Sequence, residues 1–284
     1  MRRALLAGRW YPGDPDACRA AIRAHASAER RTSDELGPVR GLVGPHAGWT
    51  FSGDCAGRGY RCLADAAPDD VDLVVVFGSH RGPNGPNTVF RDDAWDTPLG
   101  PLVTDRALAD QAASALALED EPADPRRPDN AVELHLPFVR ELFPDAALLM
   151  LGVEASTRAI DVGRTVGELV KDAGRQAVFI GSTDLTHYGP NYGWAPHGTG
   201  DDAVRWVREQ NDRAFLDAIL RDAPDEAVAL AVRDQSACCP GATVAAIEAT
   251  RAYAGQVRPA LVDHYLSWEV RPDASFVGYA SVVV

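Results

Sequence analysis

The chain has 284 residues, of which 46% are hydrophobic, and it carries a net charge of -13 at pH 7. This length suffices for one domain with a large core, and we expect a single domain over residues 1–284. The acidic surplus argues against nucleic acid or an anionic membrane as the main partner. No apolar run is long enough to span a bilayer, and Arg9 interrupts the short apolar segment at the N-terminus. We therefore expect a cytoplasmic protein.

Apolar runs bounded by Gly and Pro predict strands, and most of these strands are followed by a helical pattern. The strands are expected at Arg40–Gly44, Asp72–Phe77, Ala147–Val153 and Gln176–Ile180, with a final β pair at Ala260–Glu269 and Phe276–Val284. The predicted helices are Pro15–Ala28, Asp54–Ala64, one capped by Thr104, Asn130–Phe143, Thr157–Ala173, Asp202–Arg221, Asp225–Val232 and Gly241–Tyr253. A polar connection is expected at Thr32–Pro38. The alternation predicts an α/β fold, a three-layer α/β/α domain with a mixed, mostly parallel central sheet.

Three of the predicted strands lead to a histidine. His46 follows the first strand, His80 follows the second, and His187 follows the fourth after a short polar loop. In an open α/β sheet, ligands bind beyond the carboxyl ends of the strands. Neutral imidazole is the commonest metal ligand in proteins, so the pattern favours a metal site. A catalytic or hydrogen-bonding cluster without metal is the alternative, because no HExxH or CxxC spacing is present.

A carboxylate accompanies the third histidine, since Asp184 lies three residues before His187. It can orient the imidazole or bind a substrate hydroxyl, and a helix N-cap or an Asx-turn is the structural alternative. A further histidine, His135, follows Glu133. The spacing of these two residues does not place them on one helical face, so it does not predict a metal pair.

The five cysteines indicate reduced thiols, because the count is odd and the chain is long. Two of them, Cys238 and Cys239, directly precede a predicted helix. The helix dipole favours the thiolate form of a nearby cysteine. Either residue is therefore a candidate soft metal ligand or nucleophile, and packing against the helix start is the alternative. Spacing alone does not decide which thiol faces a site.

Seven short motifs recur in an order typical of one family. They are Ala7–Tyr11, Pro45–Gly53, Gly78–His80, Thr97–Gly100, Glu133–Phe138, Ser182–Gly189 and Ala237–Cys239. Together they resemble the MEMO family, the B component of the AmmeMemoRadiSam group, whose fold is similar to the class III, LigB-type extradiol dioxygenases with non-haem Fe(II). The resemblance implies one pocket, with Asp184 and Trp10 close to it. The residues that it implies as the lining are His46, His80, His187 and Cys238.

Two features depart from these patterns. The chain has Asp129-Asn130-Ala131 where the family commonly has Glu-His-Ser, so the role of that histidine is not carried over. The LigB-type enzymes use two histidines and a glutamate, whereas this site would offer the thiolate of Cys238. A softer ligand favours copper or an easily oxidised iron site.

The main hypothesis is a MEMO-like, metal-dependent oxidoreductase of the dioxygenase type. His46, His80 and Cys238 would hold Fe(II), with copper or zinc as alternatives, beside a small aromatic substrate and O2. His187, oriented by Asp184, would act as acid and base.

The aromatic residues expected to contact the substrate are Trp10, Tyr11, Trp49 and Tyr188. Two other classes of function stay open. One is hydrolysis at the same residues, with zinc activating water. The other is a non-enzymatic module that binds a peptide or takes part in redox signalling.

Overall fold

A computed structural model of the chain describes residues 1–27, 39–124 and 128–284. The predicted connection Thr32–Pro38 and the predicted helix end at Ala28 lie outside the described residues. The strands are β1 Gly41–Gly44, β2 Leu73–Arg81, β3 Thr88–Val89, β4 Ala94–Trp95, β5 Leu102–Val103, β6 Glu119–Asp120, β7 Ala147–Glu154, β8 Ala177–Ser182, β9 His187–Tyr188, β10 Ala260–Leu266 and β11 Phe276–Val283. The α-helices are α1 Pro15–Ala26, α2 Trp49–Ala66, α3 Arg106–Leu116, α4 Asn130–Glu133, α5 Leu136–Leu142, α6 Arg158–Asp172, α7 Asp201–Trp206, α8 Asp212–Leu220, α9 Pro224–Asp234, α10 Pro240–Ala254 and α11 Ser267–Val270.

A nine-stranded mixed sheet forms the centre of the fold. Its strands run in the order β10-β11-β1-β8-β2-β7-β3-β6, and β9 pairs with β11. The four central strands β1, β8, β2 and β7 are parallel to one another, so their carboxyl ends lie at the same edge. On the far side of β1, the strands β11 and β10 run antiparallel, which makes the sheet mixed, as the predicted terminal β pair implies.

Helices cover both faces of this sheet. Successive side chains of a strand point to opposite faces, and β2 accordingly divides its apolar residues between two cores. Val75 and Phe77 pack in a core with residues of α3, α6, α8, α9 and α10. Val74 and Val76 pack in a second core with residues of α1, α2 and α5. The predicted three-layer α/β/α arrangement is therefore confirmed.

Several predicted helix boundaries differ from the structure. Helix α2 begins at Trp49 and not at Asp54, which shortens the loop after β1 to four residues, 45–48. The carboxylate of Asp105, not the hydroxyl of Thr104, caps α3 by accepting from the Leu108 amide at 3.0 Å.

The predicted helix Asn130–Phe143 is two helices, α4 and α5, because Pro137 supplies no backbone N–H and occupies the first turn of the second one. The predicted helix Asp202–Arg221 contains a π-helical stretch at Val207–Asn211. At the end of β10 the chain turns into α11, so the predicted strand Ala260–Glu269 ends at Leu266. No helix formed by the described residues is both long and apolar enough to cross a membrane.

Candidate metal centre

The first histidine of the site lies in the four-residue loop between β1 and α2. The imidazole of His46 is completely buried. Its backbone amide donates to Oδ1 of Asp184 at 2.8 Å, and its Nδ1 lies 2.7 Å from the hydroxyl of Ser182. These contacts to the end of the neighbouring strand β8 fix the ring, so its Nε2 is held in one direction.

A β-bulge positions the second histidine. Near the end of β2, Ser79 and His80 together oppose a single residue of β7. Bulges of this kind redirect side chains at strand ends. Ser79 has a φ of 64°, unusual for a residue with a Cβ, and its hydroxyl donates to Asp129 at 2.6 Å. The result is that His80, which is exposed, turns its ring towards His46, with 4.9 Å between the ring centroids.

The two cysteines reach the same place from the segment that precedes α10. The Cys238 amide donates to the carbonyl of Asp184 at 3.0 Å, and the Asp184 amide lies 3.2 Å from the sulfur of Cys238. Behind them, the start of α10 packs directly on the end of β7, since a Cβ on Gly241 would overlap the carbonyl of Glu154. This close approach holds both cysteines at the edge of the sheet.

Four ligand atoms converge at this edge. The side chains of His46, His80, Cys238 and Cys239 each offer one atom, and all four atoms lie within 4.8 Å of one another. The sulfur of Cys238 is 3.3 Å from Nε2 of His46. The Cys239 thiol lies 3.7 Å from the Cys238 sulfur and 3.5 Å from the Ser79 carbonyl. The geometry thus favours Cys238 as the thiolate that faces the two histidines, a choice that the sequence spacing left open.

The charges of the cluster support the same choice. Burial opposes a charge on His46, but the Cys238 thiolate and the Asp184 carboxylate raise the pKa of His46 to about 9. Burial also opposes ionisation of Cys238, yet hydrogen bonds from Cys239 and His46 and the charge of His46 hold the pKa of the Cys238 thiol well below its usual range. The hydrogen bond to Cys238 and burial raise the pKa of Cys239 well above its usual range, so Cys239 stays a neutral thiol.

Asp184 links the cluster to the third predicted histidine. Its Oδ2 lies 3.9 Å from Nε2 of His46 and 3.7 Å from Nε2 of His187. Burial lowers the pKa of His187, but the hydrogen bond that its ring donates to Asp184 and the charge of Cys238 outweigh burial and raise that pKa. The ring of His187 is 34% exposed and stacks on Tyr192 at 4.9 Å between centroids. His187 therefore lies outside the four-atom cluster.

A cleft opens beside the cluster. It encloses about 410 Å³. The residues that line it include Trp10, Phe51, Asp184, His187, Tyr192 and Tyr279. The side chain of Trp10 is 38% exposed. Of the four aromatic residues expected to contact a substrate, Trp10 lines this cleft.

Two of the other predicted aromatic residues, Tyr11 and Trp49, serve a different cavity. Both are buried, and their rings pack 5.3 Å apart. Their polar atoms are taken up by the protein, since the Tyr11 hydroxyl donates to Glu133 at 2.9 Å and the indole of Trp49 donates to the carbonyl of Leu134 at 3.3 Å. Both residues line a neighbouring cavity of about 690 Å³, which shares Trp10 with the cleft.

The fourth predicted aromatic residue, Tyr188, does not line the cleft. Its side chain is completely buried and stacks on Phe276 with 5.1 Å between centroids. Its hydroxyl donates to the carbonyl of Gly198 at 3.0 Å. Tyr188 is adjacent to His187, but successive residues of a strand point to opposite faces, so Tyr188 belongs to the core and is not kept as a substrate contact.

Two buried polar residues near the site were missed in the sequence. His135 lies 2.9 Å from the Ser182 hydroxyl that bonds His46. Glu133 accepts from the amides of Leu5 and Leu6 and so fixes the segment that carries Trp10. Both residues belong to the motif Glu133–Phe138, which could have marked them as functional. Their spacing was used only to test for a metal pair, so neither residue was given a role.

The fold and the site together define an α/β protein with a histidine–cysteine cluster at the carboxyl edge of its parallel strands. The family model described as "Memo-like protein" matches residues 2–283. The chain belongs to this family.

Curated relatives agree with this assignment, and a solved structure shares the fold. A "MEMO1 family protein" of Methanococcoides burtonii is 31% identical, with 100% of both chains covered. Another, Mbar_A1422 of Methanosarcina barkeri, is 32% identical, again with 100% of both covered. The crystal structure of an uncharacterized protein, JW3007, from Escherichia coli K12 has a TM-score of 0.54 over 87% of this chain and 99% of that one. At 14% identity, the latter likeness concerns the fold alone.

Proposed function

We propose that this protein is a metal-dependent oxidoreductase of the non-haem iron dioxygenase type, acting with O2 on a small aromatic molecule. The observation that carries the proposal is the convergence of His46, His80 and Cys238, with Cys239 beside them, within 4.8 Å. Catalytic metal sites in proteins keep a coordination position free beside three protein ligands. The neighbouring cleft, lined by Asp184 and His187, has room for a second molecule.

The donor chemistry fits such a metal. Two imidazoles and one thiolate suit iron, copper and zinc better than magnesium or calcium. The Cys238 thiolate and the Asp184 carboxylate place negative charge around His46, which favours a cation in the cluster. Fe(II) is the choice that fits an oxidoreductase, with copper next because of the soft sulfur ligand. A reducing cytoplasm would keep both cysteines as thiols.

The cleft supports an aromatic substrate. Trp10, Phe51 and Tyr192 supply flat apolar surfaces, and offset or edge-to-face packing of rings favours an aromatic ligand. A volume of about 410 Å³ lies in the range of pockets for small molecules. His187 lines the same cleft, so a hydroxyl on the bound ring would come within its reach.

Three residues of the chain, His187, Asp184 and Trp10, would each have a separate role in the reaction. Bound Fe(II) would supply a position for O2 and for a chelating substrate, together with one-electron chemistry. His187 would accept a proton from a substrate hydroxyl at Nε2 and return it later in the reaction. Asp184 would orient that ring, and the raised pKa of His187 suits proton exchange near neutral pH. Trp10 would cover the cleft and limit access of water.

The experiment is an anaerobic purification followed by loading with Fe(II) and measurement of O2 uptake. Catechols and aminophenols serve as substrates, and zinc-loaded protein serves as the control. We expect O2 uptake with iron and none with zinc. Substrate turnover without O2 but with zinc would replace the proposal by hydrolysis. Binding of a protein partner that is lost in His46→Ala but survives metal removal, without turnover, would replace it by a binding module.

A further inference from the structure

A chain of hydrogen bonds leads from the cluster into the core. Nδ1 of His46 lies 2.7 Å from the Ser182 hydroxyl, and that hydroxyl lies 2.9 Å from Nε2 of His135. On the other side of the ring, Nδ1 of His135 lies 2.9 Å from the hydroxyl of Tyr60. All four side chains are buried. The acid and base role of His187 uses none of these bonds, so they call for a separate explanation.

We propose that Ser182 and His135 are positioning residues, which fix the tautomer of His46 and thereby leave its Nε2 free to bind the metal. The inference rests on the proposed metal site and adds two residues to it that touch neither the metal position nor the cleft.

The direction of these hydrogen bonds is set at His46. Its Nε2 faces the Cys238 sulfur at 3.3 Å, so Nε2 is the atom on the side of the cluster. A neutral imidazole that binds metal through Nε2 carries its proton on Nδ1. That proton is donated to the Ser182 hydroxyl. A serine hydroxyl has one proton of its own, and with His46 as donor it gives this proton to Nε2 of His135.

His135 is suited to accept that proton. Burial is the main cause that lowers the pKa of His135 to about 3, so its ring is neutral at physiological pH. A neutral ring that accepts at Nε2 carries its proton on Nδ1 and donates it to the oxygen of Tyr60. Every bond of the chain then points away from the metal position.

The serine alone would not fix this direction, because a hydroxyl both donates and accepts. Without an acceptor at the position of His135, the Ser182 hydroxyl would turn its proton towards Nδ1 of His46. That arrangement stabilises the tautomer of His46 with the proton on Nε2, which competes with the metal for the same atom. Partners of this kind affect metal affinity by about 10- to 100-fold in other metal sites.

The test compares two substitutions of His135 by their affinity for Zn(II), measured by competition with a chromogenic chelator under reducing conditions. His135→Phe removes the acceptor, and we expect a loss of affinity of about 10-fold or more. His135→Gln restores an acceptor, since its amide oxygen can replace Nε2, and we expect an affinity within about 3-fold of the wild type. Tyr253→Phe is the control. It removes a hydroxyl that donates to the carbonyl of Arg175, just before the start of β8 and so at the opposite end of that strand from Ser182.

A second measurement does not depend on any variant. In Zn(II)-loaded protein with ¹⁵N-labelled histidine, NMR should show the proton of His135 on Nδ1 and a bare Nε2. A proton on Nε2 of His135, or equal Zn(II) affinity of the Phe, Gln and wild-type proteins, would overturn the inference while leaving the metal site intact. Failure of the wild-type protein to bind Zn(II) would overturn the metal site itself, and the inference with it.

Discussion

The sulfur of Cys238 lies 3.3 Å from Nε2 of His46, although 192 residues separate the two in the chain. Three features produce this contact: the short loop after β1, the bonds between Cys238 and Asp184, and the close packing of α10 on β7. A cation between these two atoms would replace the proton that they now share.

The two adjacent cysteines should behave differently. Cys238→Ser replaces a thiolate ligand by a hydroxyl. We therefore expect Co(II) affinity to fall by more than the ~10- to 100-fold that is typical when a residue that only orients a ligand is lost. The sulfur-to-cobalt charge-transfer band should also disappear. Cys239→Ser keeps a donor beside Cys238, and here the band should persist. If the band disappears in Cys239→Ser and persists in Cys238→Ser, the metal ligand is Cys239 and not Cys238.

His187 should affect turnover and not metal affinity. His187→Gln removes the proposed acid and base, so kcat should fall by about 10²- to 10⁴-fold. Co(II) affinity should stay within a few-fold of the wild type, because the ring lies outside the cluster. The two quantities are measured on the same loaded protein. A parallel loss of affinity would make His187 a ligand in place of a proton carrier.

The contact between α10 and β7 should be intolerant of any side chain. Gly241→Ala places a Cβ against the carbonyl of Glu154, where only backbone movement can relieve the overlap. We expect a loss of about 1–3 kcal/mol or more in the free energy of unfolding, together with weaker metal binding. Denaturant titration measures the first quantity.

Gly82→Ala is the matched control for this substitution, because a Cβ there meets open space. It should leave both stability and metal affinity almost unchanged. Equal stability of the two variants would mean that α10 can shift without cost, contrary to the packing described above.

The metal-free protein should lose stability in mild acid through His135. The folded pKa of about 3 lies below the unfolded value near 6.5, so the stability contributed by the neutral ring is present above pH 6.5 and is lost as the pH falls towards 3. One such group gives a slope of up to about 1.4 kcal/mol per pH unit. His46 acts in another window, because its raised pKa contributes stability that is full below pH 6.5 and lost towards pH 9.

His135→Gln should therefore flatten the fall in stability between pH 6.5 and 5, a range above the titration of most carboxylates. Denaturant midpoints of the two proteins across this range provide the measurement. An unchanged slope in the variant would show that His135 titrates normally in the folded state.

The sequence predicted the layers of the fold and three strand-end histidines, because both depend on local patterns of apolar residues, Gly and Pro. It could not separate Cys238 from Cys239, since the choice depends on bonds to Asp184, 54 residues away. His135 was missed for the same reason, as its partners Tyr60 and Ser182 lie 75 and 47 residues away. Tyr188 was predicted to contact the substrate because it follows His187 in the motif. A motif does not show which face of the sheet each of its residues points to.

The proposed function requires that His46, His80 and Cys238 together bind one metal ion. X-ray absorption at the iron edge of anaerobically Fe(II)-loaded protein tests it most directly, with Cys238→Ser as the comparison. We predict one sulfur and two imidazole nitrogens in the first coordination shell of the wild type, and no sulfur in the variant. A first shell of oxygen and nitrogen alone in the wild-type protein would contradict the claim.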